Sequence, residues 1–130
     1  MGNKYAVLLI DKRLPFRKSY GKLLEIMFRC RKVDYSIQEA DNQNMALGLI
    51  ASGKYDLIVL GECPGVRPGE DLLKLINKAE YPKVLFISND LDRLGYCRNK
   101  GIACVLERSF PFQKSDKLII LQEFKNKLGF

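Results

Sequence analysis

Apolar residues come in two rhythms along this chain: short unbroken runs, and longer stretches with one apolar face. Tyr5–Ile10 (YAVLLI), Leu57–Leu60 (LIVL), Val84–Ile87 (VLFI) and Ala103–Leu106 (ACVL) are runs of strand length. Runs of this kind suit strands buried on both faces. Tyr35–Gln38 alternates apolar and polar residues and reads as a further strand. Between the strands the period changes. Phe16, Tyr20, Leu23, Leu24, Met27 and Phe28 form a one-sided helical stripe, with Pro15 in the first turn, where a missing N–H costs nothing. A second helix carries Met45, Ala46, Leu49 and Ile50, with Asp41 or Asn42 as its cap and Gly53 at its close. Leu72, Leu73 and Ile76 mark a third helix after a Pro64–Gly69 loop, and Pro82 precedes the fourth strand. Asp90 caps a short fourth helix through Leu94 and Cys97, ended by Gly101. Ser115 or Asp116 caps a last helix with Leu118, Leu121, Phe124 and Leu128 on its apolar face.

Five strands alternating with five helices predict a parallel sheet covered on both faces. Five βα units favour an α/β, flavodoxin-like doubly wound sheet of order 2-1-3-4-5. The ligand crevice of such a sheet lies beyond the C-terminal ends of its strands. The residues to inspect are therefore Asp11 and Lys12, Gly61 and Glu62, Ser88 and Asn89, and Arg108.

At 130 residues the chain is of single-domain length, and residues 1–130 are expected to form one domain. No apolar run approaches the ~20 residues of a membrane span, and no secretory signal is visible. The opening MGNKYA has Ala6 where a myristoylation signal wants Ser or Thr. A cytoplasmic location is the expectation. The four cysteines, Cys30, Cys63, Cys97 and Cys104, contain no C-x-x-C pair, and with no histidine in the chain a structural metal is not expected. The missing histidine also removes Ser-His-Asp and Cys-His hydrolase chemistry. The net charge of +7 favours acidic partners.

The strand ends carry a resemblance. VLLIDK resembles the first strand and acidic pair of the receiver domains of two-component response regulators. QEADNQNMALGLIASGKYDLIVL is similar to that family's second strand, second helix and third strand, VLFISN to its fourth strand, and GIACVLERSF to its Gly-Ala-x-x-Tyr-Leu-x-Lys-Pro-Phe segment. The resemblance spans the chain from the first strand to the last helix and implies a CheY-like fold. It also implies which positions matter. Gly61 stands where the family has its phosphorylated aspartate, Lys12 where it has the second acid of the Mg²⁺-holding pair, Arg108 where it has a lysine, and Val105 where it has an aromatic switch residue. Only Asp11 and Ser88 keep the family's residue types. The expectation is a degenerate receiver: not an enzyme, without cofactor or Mg²⁺, acting in signalling by protein–protein interaction.

The residues themselves suggest a net positive pocket, with Asp11 facing Lys12 and Arg108 and tied to one of them. Ser88, Lys12 and Arg108 around a glycine would make an anion site if they were not internally paired. Glu62 is a displaced acceptor only if it faces the crevice, and alternation along a strand end turns it away. Cys63 reads as an inert loop thiol rather than a reactive one, and Cys30, Cys97 and Cys104 as core or near-core residues. Basic residues gather early, at Lys12, Arg13, Arg17, Lys18, Lys22, Arg29, Arg31 and Lys32. With Arg93, Tyr96 and Glu107 on the face that the family uses for partners, Arg17, Lys18 and Lys22 are the candidate partner-binding residues. A signalling protein with an acidic surface is the expected partner and a homodimer is an alternative; nucleic acid ranks lower, because no helix-turn-helix, zinc finger or aromatic platform is present. The two runner-up functions are a receiver switched through an atypical acceptor or bound anion, and a basic nucleic-acid binder.

Overall fold

The computed structural model describes residues 4–63 and 72–130, so the predicted Pro64–Gly69 loop lies outside the described residues. The strands are β1 (Lys4–Ile10), β2 (Asp34–Ala40), β3 (Leu57–Leu60), β4 (Val84–Ser88) and β5 (Ala103–Leu106). They form one parallel sheet of order β2-β1-β3-β4-β5, as the alternation of elements predicts. The helices are α1 (Leu14–Arg31), α2 (Gln43–Ser52), α3 (Leu72–Leu75), α4 (Leu91–Asn99) and α5 (Lys114–Leu128). A 3₁₀ helix at Lys78–Lys83 brings the described helices to six instead of the predicted five. Asn77, in an extended conformation, separates it from α3 and caps it by accepting from the Ala79 N–H, and Pro82 lies in its last turn.

Each strand contributes alternate side chains to two layers. Val7, Leu9, Leu57, Val59, Leu85, Ile87 and Val105 face α1 and α5, where Phe16, Tyr20, Leu24, Phe28, Ile120 and Phe124 cover them. Leu8, Ile10, Ile58, Leu60, Val84 and Phe86 face the other helices, packing with Ala46, Leu72, Leu73, Ile76, Leu94 and Cys97. Residues seven to ten are all sealed from solvent, which is why β1 reads as continuous rather than alternating. The stripe predicted on α1 is the buried one.

Some local readings need correction. Asn42 caps α2 by accepting from the Met45 N–H, but Met45 itself is exposed. α5 begins one residue before Ser115, so neither Ser115 nor Asp116 is its cap; Gln113 holds that position without a side-chain bond. The inward face of α5 runs through Asp116, Ile120, Phe124 and Leu128, leaving Leu118 exposed. Two adjacent apolar pairs, Leu118-Ile119 and Ile120-Leu121, blur the phase in sequence, and tertiary packing selects Ile120. Cys30 is exposed on α1, not near the core. Asp90 caps α4 as predicted, accepting from the Asp92 and Arg93 N–H groups. Gly101 follows α4 at φ +78°, a left-handed conformation that glycine adopts freely.

Tyr20 is fully buried, and among the described residues its hydroxyl has no hydrogen-bond partner. Burial, then the charges of Asp11 and Glu107, pushes its phenol well above the usual tyrosine range. The folded state therefore keeps a proton that the unfolded chain releases near pH ~10, so this stability is present below that pH and lost as pH rises. Tyr20→Phe is expected to unfold no more than ~1 kcal/mol more easily at neutral pH, since an unsatisfied buried hydroxyl contributes nothing. It is also expected to lose less stability than the parent above pH ~10. Denaturant titrations at both pH values check this; a large neutral-pH loss would reveal a partner for the hydroxyl.

Candidate functional site

The strand register fixes the site. Ile10 pairs with Leu60 and Ala40, Leu60 with Phe86, and Ser88 with Leu106. The chain leaving each strand therefore enters one shared rim, and Asp11 comes to lie beside Gly61. The backbone holds them there: Gly61 N–H donates to the Ile10 carbonyl at 2.7 Å, Asp11 N–H to Ala40 at 3.1 Å, and Lys12 N–H to Glu62 at 2.7 Å.

Asp11 is wholly buried and both its oxygens are engaged by Arg13. Oδ1 accepts from the Arg13 backbone N–H and from Nε, each at 2.9 Å, and Oδ2 accepts from Nη2 at 2.9 Å. The far edge of the same guanidinium forks onto Glu107, with Nη1 donating to Oε1 at 3.0 Å and Nη2 to Oε2 at 3.2 Å. Glu62 approaches Nη1 at 3.6 Å and pairs with Lys12 at 3.1 Å. The Arg13 cation lies 3.4 Å over the Phe16 ring, which itself stacks on Phe110 at 4.0 Å. A planar group with five donors is suited to joining two carboxylates over an aromatic face. Burial pulls the Arg13 pKa down, but its bonds to Asp11 and Glu107 outweigh this and raise it further.

Gly61 makes this possible. A Cβ placed on it would stand 2.1 Å from Asp11 Oδ2 and 2.9 Å from Cγ. The Asp11 carboxylate thus fills the volume that a side chain on residue 61 would need. Arg13 then passes over the end of β3, and a cleft of about 250 Å³ remains between Arg13, Gly61, Glu62, Ser88, Arg93 and Glu107.

Several expectations change. Asp11 is bound by Arg13, not by Lys12 or Arg108. Lys12 points to the surface and pairs with Glu62. Arg108 is exposed and outside the cluster, because successive residues beyond β5 point opposite ways and Glu107 takes the inward one. Four carboxylates, Asp11, Glu62, Asp90 and Glu107, face three cations, Lys12, Arg13 and Arg93, so the cluster is not net positive. Glu62 does reach the crevice, drawn by those cations. Ser88 Oγ accepts from the Asp90 N–H at 3.0 Å and so helps turn the chain into α4. Val105 is buried in the core on the α1/α5 side. Cys63 is buried, and burial with the charges of Asp11 and Asp41 pushes its thiol up to about 11.

The candidate partner-binding residues separate as well. Glu107 is turned inward onto Arg13 with 9% of its side chain exposed. Arg17 is tied to Glu39 at 2.9 Å and to the Asp11 carbonyl at 2.6 Å. Lys18 and Lys22 remain exposed. Arg93 and Tyr96 are half-buried, with Lys100 Nζ 5.4 Å over the Tyr96 ring. Sequence reasoning passed over Arg13 because it counted Arg13 among surface bases. The usable signal is Asp-x-Arg at a strand end with Phe three residues on.

No protein-family model matches the chain, and no curated protein does. Solved structures do. A receiver domain protein of Methanospirillum hungatei, described as CheY-like, is 17% identical and matches 98% of this chain and 95% of its own at a TM-score of 0.69. The fold is that of receiver domains. A Thermotoga maritima response regulator, solved in complex with Mg²⁺ and BeF, is 22% identical over 95% of this chain and 98% of its own, TM-score 0.62. A de novo designed Rossmann 2x3 protein reaches the same 0.62 at 14% identity over 99% and 90%, so the likeness establishes architecture and not activity. Among the described residues no helix is long and apolar enough to cross a membrane.

The receiver fold implies Mg²⁺ at this rim, and the donor set here does not fit it. Mg²⁺ demands near-octahedral oxygen ligation, usually with carboxylates. Both Asp11 oxygens already accept from Arg13, residue 12 is a lysine, and residue 61 has no side chain.

Gly61→Ala is expected to destabilise the fold by roughly 1–3 kcal/mol, because a clamped Asp11 cannot retreat. In an Asp11→Ala background the same change is expected to cost far less. Denaturant unfolding of the four proteins measures the coupling, and equal costs in both backgrounds would show that the two residues do not compete for space. Arg13→Met is expected to cost about 3–5 kcal/mol by leaving Asp11 buried and unpaired; a loss below ~1 kcal/mol would mean that the fork is not holding the rim together.

Proposed function

We propose that this chain is a receiver-fold signalling module that acts by binding other proteins and takes no phosphoryl input. The observation that carries the reading is the Arg13 guanidinium on Asp11 and Glu107 above Gly61. A cation belonging to the chain joins the β1 and β5 ends of the rim, where the fold's phosphorylatable relatives use a metal and an acceptor aspartate. Residue 61 offers no side-chain oxygen, and the Asp11 side chain takes the space in which one would sit. Such a module is not an enzyme and needs neither Mg²⁺ nor another cofactor.

On this reading the partner is a signalling protein met in the cytoplasm. The exposed Lys18 and Lys22 and the half-buried Arg93 and Tyr96 offer basic and aromatic contacts suited to an acidic surface. Arg17 and Glu107 are already engaged within the molecule and drop out of that set, and Arg93, which lies 6.0 Å over the Phe86 ring, is engaged as well, so Lys18, Lys22 and Tyr96 carry it. The reading in which a bound anion switches the site is weaker than the residues alone suggested, because carboxylates outnumber cations there.

The test is the intact mass of the protein after incubation with Mg²⁺ and acetyl phosphate. The expected result is an unchanged mass for the parent, with Gly61→Asp/Lys12→Asp, whose new Cβ displaces Asp11 from the Arg13 pose, run beside it as the restored-site comparison. One labile phosphoryl group on the parent would overturn the proposal and direct attention to Glu62.

A further inference from the structure

β2 is the outermost strand on its side of the sheet, and its outer edge has no partner strand among the described residues. The Ala40 carbonyl accepts from the Asp11 N–H, so the backbone groups of Ala40 turn toward β1. Strand backbone alternates, and Ser36 and Gln38 therefore turn the same way, while the N–H and C=O groups of Tyr35, Ile37 and Glu39 point outward. Among the described residues no backbone bond reaches these three from beyond the sheet.

An open edge is a template for another chain, and folded proteins blunt it with a short strand, a bulge, proline or lysine. The opposite edge of this sheet is blunted by length, because β5 has four residues. β2 has seven, paired without a break from Lys4↔Asp34 to Ile10↔Ala40, so it carries no bulge. Its sequence, DYSIQEA, holds no proline, lysine or arginine. Of its two charges, Asp34 stands at the start of the strand and Glu39 is neutralised by Arg17 at 2.9 Å. The α1 side of the strand is open as well. A gap of about 350 Å³ lies between α1 and β2 over Leu9 and Ile37, and Gly21 lines it. A Cβ on Gly21 would meet only Leu9 Cδ1, at 3.9 Å, so what the glycine does is keep this gap clear. Ile37, in the middle of the edge, is left half-buried.

We propose that β2 pairs with β2 of a second copy of this chain, antiparallel about a two-fold axis at Ile37, which joins the two sheets into one. An axis normal to the sheet keeps every side chain on its own face, so odd residues meet odd ones and even residues meet even ones. Centring the pair on Ile37 uses all three outward residues: Ile37 stands opposite its own copy, and Tyr35 opposite the copy's Glu39. These are pairs of the kind that exchange both backbone bonds. On the other face Ser36 meets Gln38, two side chains able to hydrogen-bond, and Asp34 meets Ala40. No like charges are opposed along the ladder. At the axis two isoleucines cover each other's apolar surface.

α1 is complementary about the same axis. Arg17 reaches Glu39, and the roughly 6.6 Å of strand from Glu39 to Ile37 match about four residues of helix, which leads to Gly21. Lys18 lies on one side of that level and Glu25 on the other, both beside the gap. The two-fold exchanges them, so each Lys18 stands level with the copy's Glu25. Lys22, nearest the axis and exposed, keeps its ammonium in water on a flexible stem. This inference concerns self-association and does not depend on the proposed signalling role.

Sedimentation velocity of the full chain from about 10 µM to about 1 mM is expected to show a reversible shift from the 14.9 kDa monomer to a species of twice that mass. Residue-level hydrogen exchange is expected to slow at Tyr35, Ile37 and Glu39 as concentration rises, and to stay constant at Ser36 and Gln38, which already bond to β1. Ile37→Lys and Ile37→Glu are each expected to weaken the dimer on the order of tenfold, because each sets like charges opposite one another at the axis. Mixed in equal amounts the two variants are expected to dimerise again, since Lys then faces Glu. A parent that stays monomeric throughout overturns the proposal and leaves the edge to a strand of another protein. A dimer that persists in both single variants, or that forms without slowing exchange at Tyr35, Ile37 and Glu39, overturns it in favour of another face. A mixture of the variants that fails to dimerise overturns the axis at Ile37.

Discussion

The guanidinium of Arg13, forked onto Asp11 on one edge and Glu107 on the other, ties together two connections that leave the sheet three strands apart. A doubly wound sheet brings acidic and polar groups to its C-terminal rim, and those groups must be neutralised. A fully buried carboxylate such as Asp11 is tolerable only with its oxygens bonded and its charge paired. A side chain of the same loop meets that requirement. The aromatic stack of Phe16 and Phe110 beneath the cation then links the rim to the core on the α1 side.

Gly61 is the counterpart of Arg13. With any Cβ at that position Asp11 could not stand where it does, and the arginine could not reach both acids in the same pose. The absence of a side chain at residue 61 and the internal cation at residue 13 are therefore two sides of one arrangement. A lone substitution toward an acceptor aspartate therefore displaces Asp11 and breaks the pose of the Arg13 clamp.

The second half of the sheet has a chemistry of its own. At the α4–β5 junction Cys104 Sγ donates to the Ile102 and Leu94 carbonyls, where the rim gathers carboxylates and arginine in a network of their own. Both lie next to β5, so the segment from Ala103 to Glu107 takes part in each.

Much of the fold was legible in the chain itself. Unbroken apolar runs, the stripe on α1, and the caps Asn42 and Asp90 are local features that carry the strand count and order, because a βαβ crossover leaves few alternatives. The empty position at residue 61 was legible too. What the sequence could not settle was direction. Lys12, Arg13 and Arg108 are alike as charges, and only the register of β1, β3 and β5 with the backbone course after Ile10 aims Arg13 inward and the other two out. The phase of α5 was open for a similar reason, since four successive apolar residues fit two faces and only packing on the sheet buries Ile120 instead of Leu118. Local pattern and composition determined the architecture; long-range contact between strand ends decided which cation the buried aspartate holds.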